Sequence, residues 1–159
     1  MNYLIRKSNA NDMPQVLELI KELAVFEKEP DAVIVTTDDL VKEGFGKDPL
    51  FTCFVAEMED EIVGMALIYY RFSTWKGRAI HLEDLIIKEN LRGSGIGKAL
   101  YTRVIQYAAE KQVKRIEWAV LNWNIGAIKF YERSGANVMK DWYIAQMDEE
   151  GIRNYLEKN

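Results

Sequence analysis

The stretch Arg92-Gly93-Ser94-Gly95-Ile96-Gly97-Lys98 decides how the chain is read. It follows an apolar run ending in Leu85-Ile86-Ile87. It opens a segment, Gly95 to Glu110, with Ile96, Leu100, Val104 and Ala108 on one helical stripe, so a strand turns into a helix here. Three alternate glycines let backbone N–H groups come close to a ligand, and a helix N-terminus adds partial positive charge. Arg92 and Lys98 add two full charges. A pyrophosphate suits such a cradle. Two better-known phosphate loops do not fit. A Walker loop needs Gly where Arg92 stands and Ser or Thr where Ala99 stands. A dinucleotide fingerprint starting at Gly93 needs Gly where Lys98 stands. A glycine-rich turn with no ligand is the competing reading, which the basic flanks disfavour.

Working outward, Tyr3 to Arg6 reads as a short strand. Asp12 is an expected N-cap with Pro14 in the first turn, before apolar Val16, Leu17, Ile20, Leu23 and Ala24 at helical spacing. Thr36 and Asp39 form a capping box for a brief helix that Gly44 should end. Phe51 to Glu57 and Ile62 to Arg71 read as a hairpin around Met58-Glu59-Asp60-Glu61, and Ala79 to Ile87 as a third strand. Arg115 to Leu121 is expected to be a strand, Ile125 to Ser134 a helix ended by Gly135, and Trp142 to Met147 a last strand. This order gives a mixed sheet with helices against it, in the α/β to α+β range.

At 159 residues, with no repeat and no linker, one domain spanning 1–159 is expected. Acidic side chains outnumber basic ones by 25 to 21, which disfavours nucleic acid or an anionic membrane as partner and suits a cationic or neutral small substrate. Cys53 is the single cysteine, so neither an internal disulfide nor a cysteine-built metal site can form, and no metal is expected. Met1 to Arg6 has no signal-peptide core, and no apolar run is long enough to span a membrane, so a cytoplasmic protein is the default.

Arg92, Gly95 and Gly97 meet the acetyl-CoA signature of the GNAT acetyltransferases: Arg or Gln, two residues, Gly, one residue, then Gly or Ala. The resemblance runs over nearly the whole chain and looks most like the spermidine/spermine and thialysine N-acetyltransferase branch. It is carried by Leu19-Ile20-Lys21-Glu22-Leu23-Ala24, Gly44-Phe45-Gly46, Leu82-Glu83-Asp84, Trp123-Asn124 and Phe130-Tyr131-Glu132-Arg133-Ser134-Gly135-Ala136. It implies a mostly antiparallel sheet flanked by helices, with two strands splayed for acetyl-CoA. It also implies that Arg92, Gly93, Ser94, Gly95, Ile96, Gly97 and Lys98 hold the pyrophosphate. By the same likeness, Leu85, Ile86 and Ile87 pair with the pantetheine arm as an added strand would, and Asn124, Ile125, Gly126 and Ala127 line the same cosubstrate. A homodimer follows from the likeness alone.

Acetyl transfer to an amine needs a neutral amine, a stabilised oxyanion and a protonated leaving thiolate. Holding an ammonium of pKa about 10.4 neutral at pH 7 costs about 4.6 kcal/mol, so a nearby base matters. The resemblance puts Glu83 in that role, directly or through water, and Tyr131 in the role of acid to the coenzyme A sulfur. Asp84 would attract a cationic substrate. As neighbours on a strand, Glu83 and Asp84 should point to opposite faces unless a bulge intervenes. Apolar Leu82, Leu85, Ile86 and Ile87 around them make idle solvated carboxylates a poor explanation. His81 shares a face with Glu83 on a regular strand; a lone histidine is more often structural and is left out of the mechanism. Phe26 and Glu27 fall where that branch contacts its substrate, with Glu29 and Asp31 close by. An acidic substrate loop and a merely solvated one stay equally open there. The turn around Glu59 and the segment between Gly135 and Trp142 are shorter than in the branch, so a small primary amine is the expected acceptor. Two other readings are a protein lysine or N-terminal acetyltransferase, and a non-catalytic acyl-CoA-binding protein.

Overall fold

The structure, a computed structural model, describes residues 2–158. Met1, the first residue of the opening segment, and Asn159, the end of the expected domain, lie outside them. The chain forms two compact units, Met1–Ala119 and Val120–Asn159.

The first unit is built on a five-stranded sheet in the order β1 (Leu4–Lys7), β2 (Thr52–Met58), β3 (Glu61–Ser73), β4 (Gly77–Ile87), β5 (Ile116–Glu117). All neighbours are antiparallel except β4 and β5. The β2–β3 turn is as tight as its sequence suggests, with Glu59 and Asp60 both at positive φ (52° and 64°). The parallel strand is shorter than expected: β5 meets β4 only at Ile80–Ile116 and His81–Glu117, whereas the reading ran to Leu121. From Leu82 onward β4 continues without a ladder to β5, so the last parallel pair is open at one end.

Alternation along β2 sorts the two faces of the sheet. Cys53 and Val55 join Met65, Leu67 and Ile86 in a core with α1 (Met13–Phe26) and α2 (Thr37–Phe45), which contribute Met13, Val16, Leu17, Leu19 and Leu40. Phe54 points the other way, edge-on to Tyr107 of α3 (Ile96–Glu110) with ring centres 5.4 Å apart. That helix buries Ile96, Leu100, Tyr101, Val104 and Ala108, each large aliphatic among them adding about 1.5–3 kcal/mol. Burial also pushes the Cys53 thiol up to about 12, which suits a packing residue and not a nucleophile.

Two helix ends differ from expectation. Asp12 precedes α1 but does not cap it: its carboxylate accepts from Arg6 at 2.7 and 2.8 Å and from the Asn9 amide at 2.7 Å. The stronger charged partner takes the side chain away from the helix, and it holds the Asp12 carboxyl below the usual range. The Thr36–Asp39 capping box forms as read, but α2 runs past Gly44 and is capped by Gly46. Gly44 serves packing: a Cβ there would lie 2.4 Å from the Phe51 ring.

In the second unit, α4 (Ile125–Arg133) is capped by the Asn124 side chain, which accepts from the Ala127 amide at 3.2 Å. It ends at Gly135, whose φ of 97° only glycine adopts readily. The strand expected over Trp142 to Met147 is not formed. Those residues lie in coil, with Tyr143 96% exposed, because β-forming side chains make a strand only where a ladder partner exists. A helix not anticipated, α5 (Glu149–Glu157), follows, capped by Asp148 through the Gly151 amide at 2.8 Å.

Candidate active site

The site is set by a defect in β4. Leu67 of β3 faces Asp84 and Ile68 faces Leu82, so Glu83 is an extra residue bulged out of the ladder. The opposite-face expectation fails for this reason: the bulge puts both carboxylates on the α1 side. Glu83 Oε2 accepts from the Tyr69 hydroxyl at 3.0 Å and lies 3.4 Å from His81 Nε2. Tyr69 itself packs against the α1 core. Asp84 is part-buried, and burial, then the charges of Glu83 and of Glu27, push its carboxyl up to about 7. Glu27, at the C-cap of α1, is also raised by burial. Asp84 thus feels the charge of both other acidic residues singled out in the sequence.

The glycine turn fits an anion. Gly93 and Gly95 take φ of 80° and 92°, and nothing lies within 4 Å of a Cβ built at either. Gly95 caps α3 with no side-chain hydrogen bond over the first-turn amides, the Ser94 hydroxyl standing 3.5 Å from the Ile96 amide. Backbone donors and the helix dipole at this end of α3 therefore have no side chain of the N-cap residue over them. Gly97 has a different role, since a Cβ there would meet Ile87 Cδ1 at 2.5 Å; it lets α3 close on β4. Arg92 stacks over Phe26 with its guanidinium carbon 4.7 Å from the ring centre, joining the turn to the end of α1. Phe26, Glu27, Glu83, Asp84 and the stretch from Leu85 to Lys98 thus all belong to one unit. Asn124, Ile125, Gly126, Ala127 and Tyr131 belong to the other, where Tyr131 is the buried residue of α4 and stands edge-on to Phe130 at 5.3 Å.

Sequence reading missed Tyr69 and set His81 aside. A signal for both was present: the Ser73–Gly77 hairpin pairing fixes the register by counting, and that count sets Tyr69 opposite His81. Among the described residues no cluster of His, Cys, Asp and Glu could hold a metal ion, and no helix is long and apolar enough to cross a membrane.

Comparison with known proteins bears on the same features. The model of the acetyltransferase (GNAT) family matches residues 13–136. The chain is 35% identical to thialysine N-epsilon-acetyltransferase of Bos taurus over 98% of both proteins. It is 35% identical to human spermidine/spermine N(1)-acetyltransferase-like protein 1 over 96% of this chain and 24% of that longer one. An integron cassette protein from the mobile metagenome of V. cholerae superimposes with a TM-score of 0.80, covering 100% of this chain and 99% of its own at 22% identity, which shows the fold. With a family model over residues 13–136 and a relative 35% identical along nearly its whole length, the chain belongs to the GNAT family of acetyltransferases.

Proposed function

We propose that the protein transfers acetyl from acetyl-CoA to a primary amine of a small cationic molecule, a diamine, polyamine or thialysine-like compound. The observation that carries this reading is the gathering of Glu27, Glu83 and Asp84 on one side of the β4 bulge, on the strand that leads into the glycine turn. Acetyl-CoA supplies the acetyl group as a thioester. The amides from Gly93 to Lys98 hold its pyrophosphate, with Arg92 beside them. Backbone groups of Leu85, Ile86 and Ile87 pair with the pantetheine arm, on the stretch of β4 that has no ladder to β5. Asn124, Ile125, Gly126 and Ala127 line the same cosubstrate.

Asp84, Glu27 and Phe26 attract and seat the cationic acceptor. Glu83 takes the proton from its ammonium, directly or through water, and the freed amine attacks the thioester carbonyl. Tyr131 gives a proton to the departing sulfur, and the second proton, lost by the nitrogen as the amide forms, passes to solvent, from which Tyr131 is reprotonated. A relative named for thialysine, and another named for L-ornithine N5-acetylation from Arabidopsis thaliana, support an amine acceptor of this size. The family match crosses the boundary between the two units, which supports one functional domain over 1–159. We further infer a homodimer, on the family likeness alone, working in the cytoplasm; the acidic composition supports neither nucleic acid nor membrane as partner.

Thiol release from acetyl-CoA, followed across a panel of diamines, polyamines, thialysine, ornithine and lysine-containing peptides, tests the proposal. Turnover should be fastest with small amines carrying a second positive charge. If every small amine is inert while a peptide turns over, the acceptor is a protein.

A further inference from the structure

We propose that Tyr69 and His81 are positioning residues that hold the Glu83 carboxylate for proton transfer, with Arg71 and Glu117 fixing the imidazole of His81. The inference rests on the reading of Glu83 as proton acceptor.

Tyr69 and His81 face each other across the β3–β4 ladder, and their rings stack with centres 5.1 Å apart and planes 29° from parallel. Both turn a polar atom toward the same oxygen: the Tyr69 hydroxyl is 3.0 Å and His81 Nε2 3.4 Å from Glu83 Oε2. The other imidazole nitrogen, Nδ1, lies 3.5 Å from a guanidinium nitrogen of Arg71. Guanidinium only donates, so in this arrangement Nδ1 would present its lone pair and the ring proton would sit on Nε2, on the side of Glu83. Arg71 is held in turn by Glu117, which also accepts from Arg115 at 2.8 Å. Glu117 stands opposite His81 in the parallel pairing of β5 with β4.

The consequence for Glu83 is chemical. A residue bulged from a ladder and half exposed loses rotamer freedom only if something ties its side chain down. The Tyr69 hydrogen bond does so, with His81 Nε2 standing 3.4 Å from the same oxygen, and this arrangement leaves Oε1 as the oxygen that takes the proton from the ammonium.

His81 is the chain's one histidine, so imidazole 15N NMR on the full-length protein reads it without ambiguity. Near neutral pH the Nε2–H tautomer should dominate, and Arg71→Met should mix the two tautomers. A dominant Nδ1–H form, or a tautomer indifferent to Arg71→Met, overturns the proposal. In turnover, Tyr69→Phe and His81→Leu should each lower kcat about three- to tenfold, the size expected for one hydrogen bond, with KM for acetyl-CoA unchanged. His81→Gln keeps an N–H and should recover most of the loss. Tyr69→Phe keeps the ring and its packing, so that arm stands even if His81→Leu folds poorly. Repeated in a Glu83→Ala enzyme, both substitutions should have no further effect; a loss persisting there means that they act elsewhere, and the proposal fails. Full activity in Glu83→Ala alone is a different result, removing Glu83 as proton acceptor.

Discussion

Along the stretch from His81 to Lys98, the bulge of β4 works with side chains and the turn before α3 works with backbone. At the bulge, on the proposed reading, carboxylates and the hydroxyl that donates to one of them set the chemistry, and the ladder is broken so that two neighbours can share one side. At the turn three of the seven residues from Arg92 to Lys98 are glycine, and what is offered is the start of α3 without a side chain of the N-cap residue over its amides. Function in the first place depends on which atoms terminate a side chain. In the second it would depend on backbone that Gly93 and Gly95 leave uncovered. Isosteric changes should therefore damage the bulge and spare the turn, while added atoms should do the reverse.

The largest effect is expected at the bulge. Glu83→Gln changes one oxygen to an amide and should lower kcat by about 10²–10⁴, most strongly at pH values far below the pKa of the amine, where deprotonation is hardest. A pH–rate profile against wild type checks this, and an unchanged acid limb would break the contrast at once.

Asp84→Asn tests the same region through stability. The Asp84 carboxyl is pushed up to about 7 when folded, so the folded state keeps a proton that the unfolded chain has already released. Stability is thus lost as pH rises from about 4 to about 7 and is level beyond. Asn removes that loss. The variant should be more stable than wild type by about 2–4 kcal/mol near pH 8 and equal to it near pH 4, as read by urea unfolding at each pH. A gain that does not vary with pH would assign it to packing instead.

At the turn, Gly95→Val adds three carbons and forces a β-branched residue to φ of 92°. The strain should cost about 1–2 kcal/mol of stability, and acetyl-CoA affinity should fall about tenfold or more because the backbone can no longer be approached. Calorimetry on the folded variant measures the second effect apart from the first. Ser94→Ala should do least. Its hydroxyl stands 3.5 Å from the Ile96 amide, too far for a strong bond, so affinity should change less than about twofold. A large loss there would show that the turn also binds through a side chain.

Much of this was legible because local physics decided it. The capping box of Thr36 and Asp39, the Glu59-Asp60 turn and the amphipathic stripe of α3 are each written within a few residues. The bulge was not legible, since which residue of β4 is extra depends on how Leu67 and Ile68 of the partner strand pair. Gly44 and Gly46 could not be told apart by propensity, because Phe51, which occupies the space at Gly44, arrives from another segment. The segment from Trp142 to Met147 has the composition of a strand and lacks a ladder. In α5, Gly151 masked a helix that Ile152, Tyr155 and Leu156 mark by their spacing and that Asp148 starts.

The hairpin turn between β2 and β3 holds an unused margin. Glu59 and Asp60 both occupy the left-handed region, where Asn followed by Gly would sit at lower energy. Selection has left that gain untaken, as expected where stability only has to clear a threshold. For an engineer, the turn is therefore a place to add heat tolerance before altering acceptor preference, so that a destabilising change at the bulge can be absorbed.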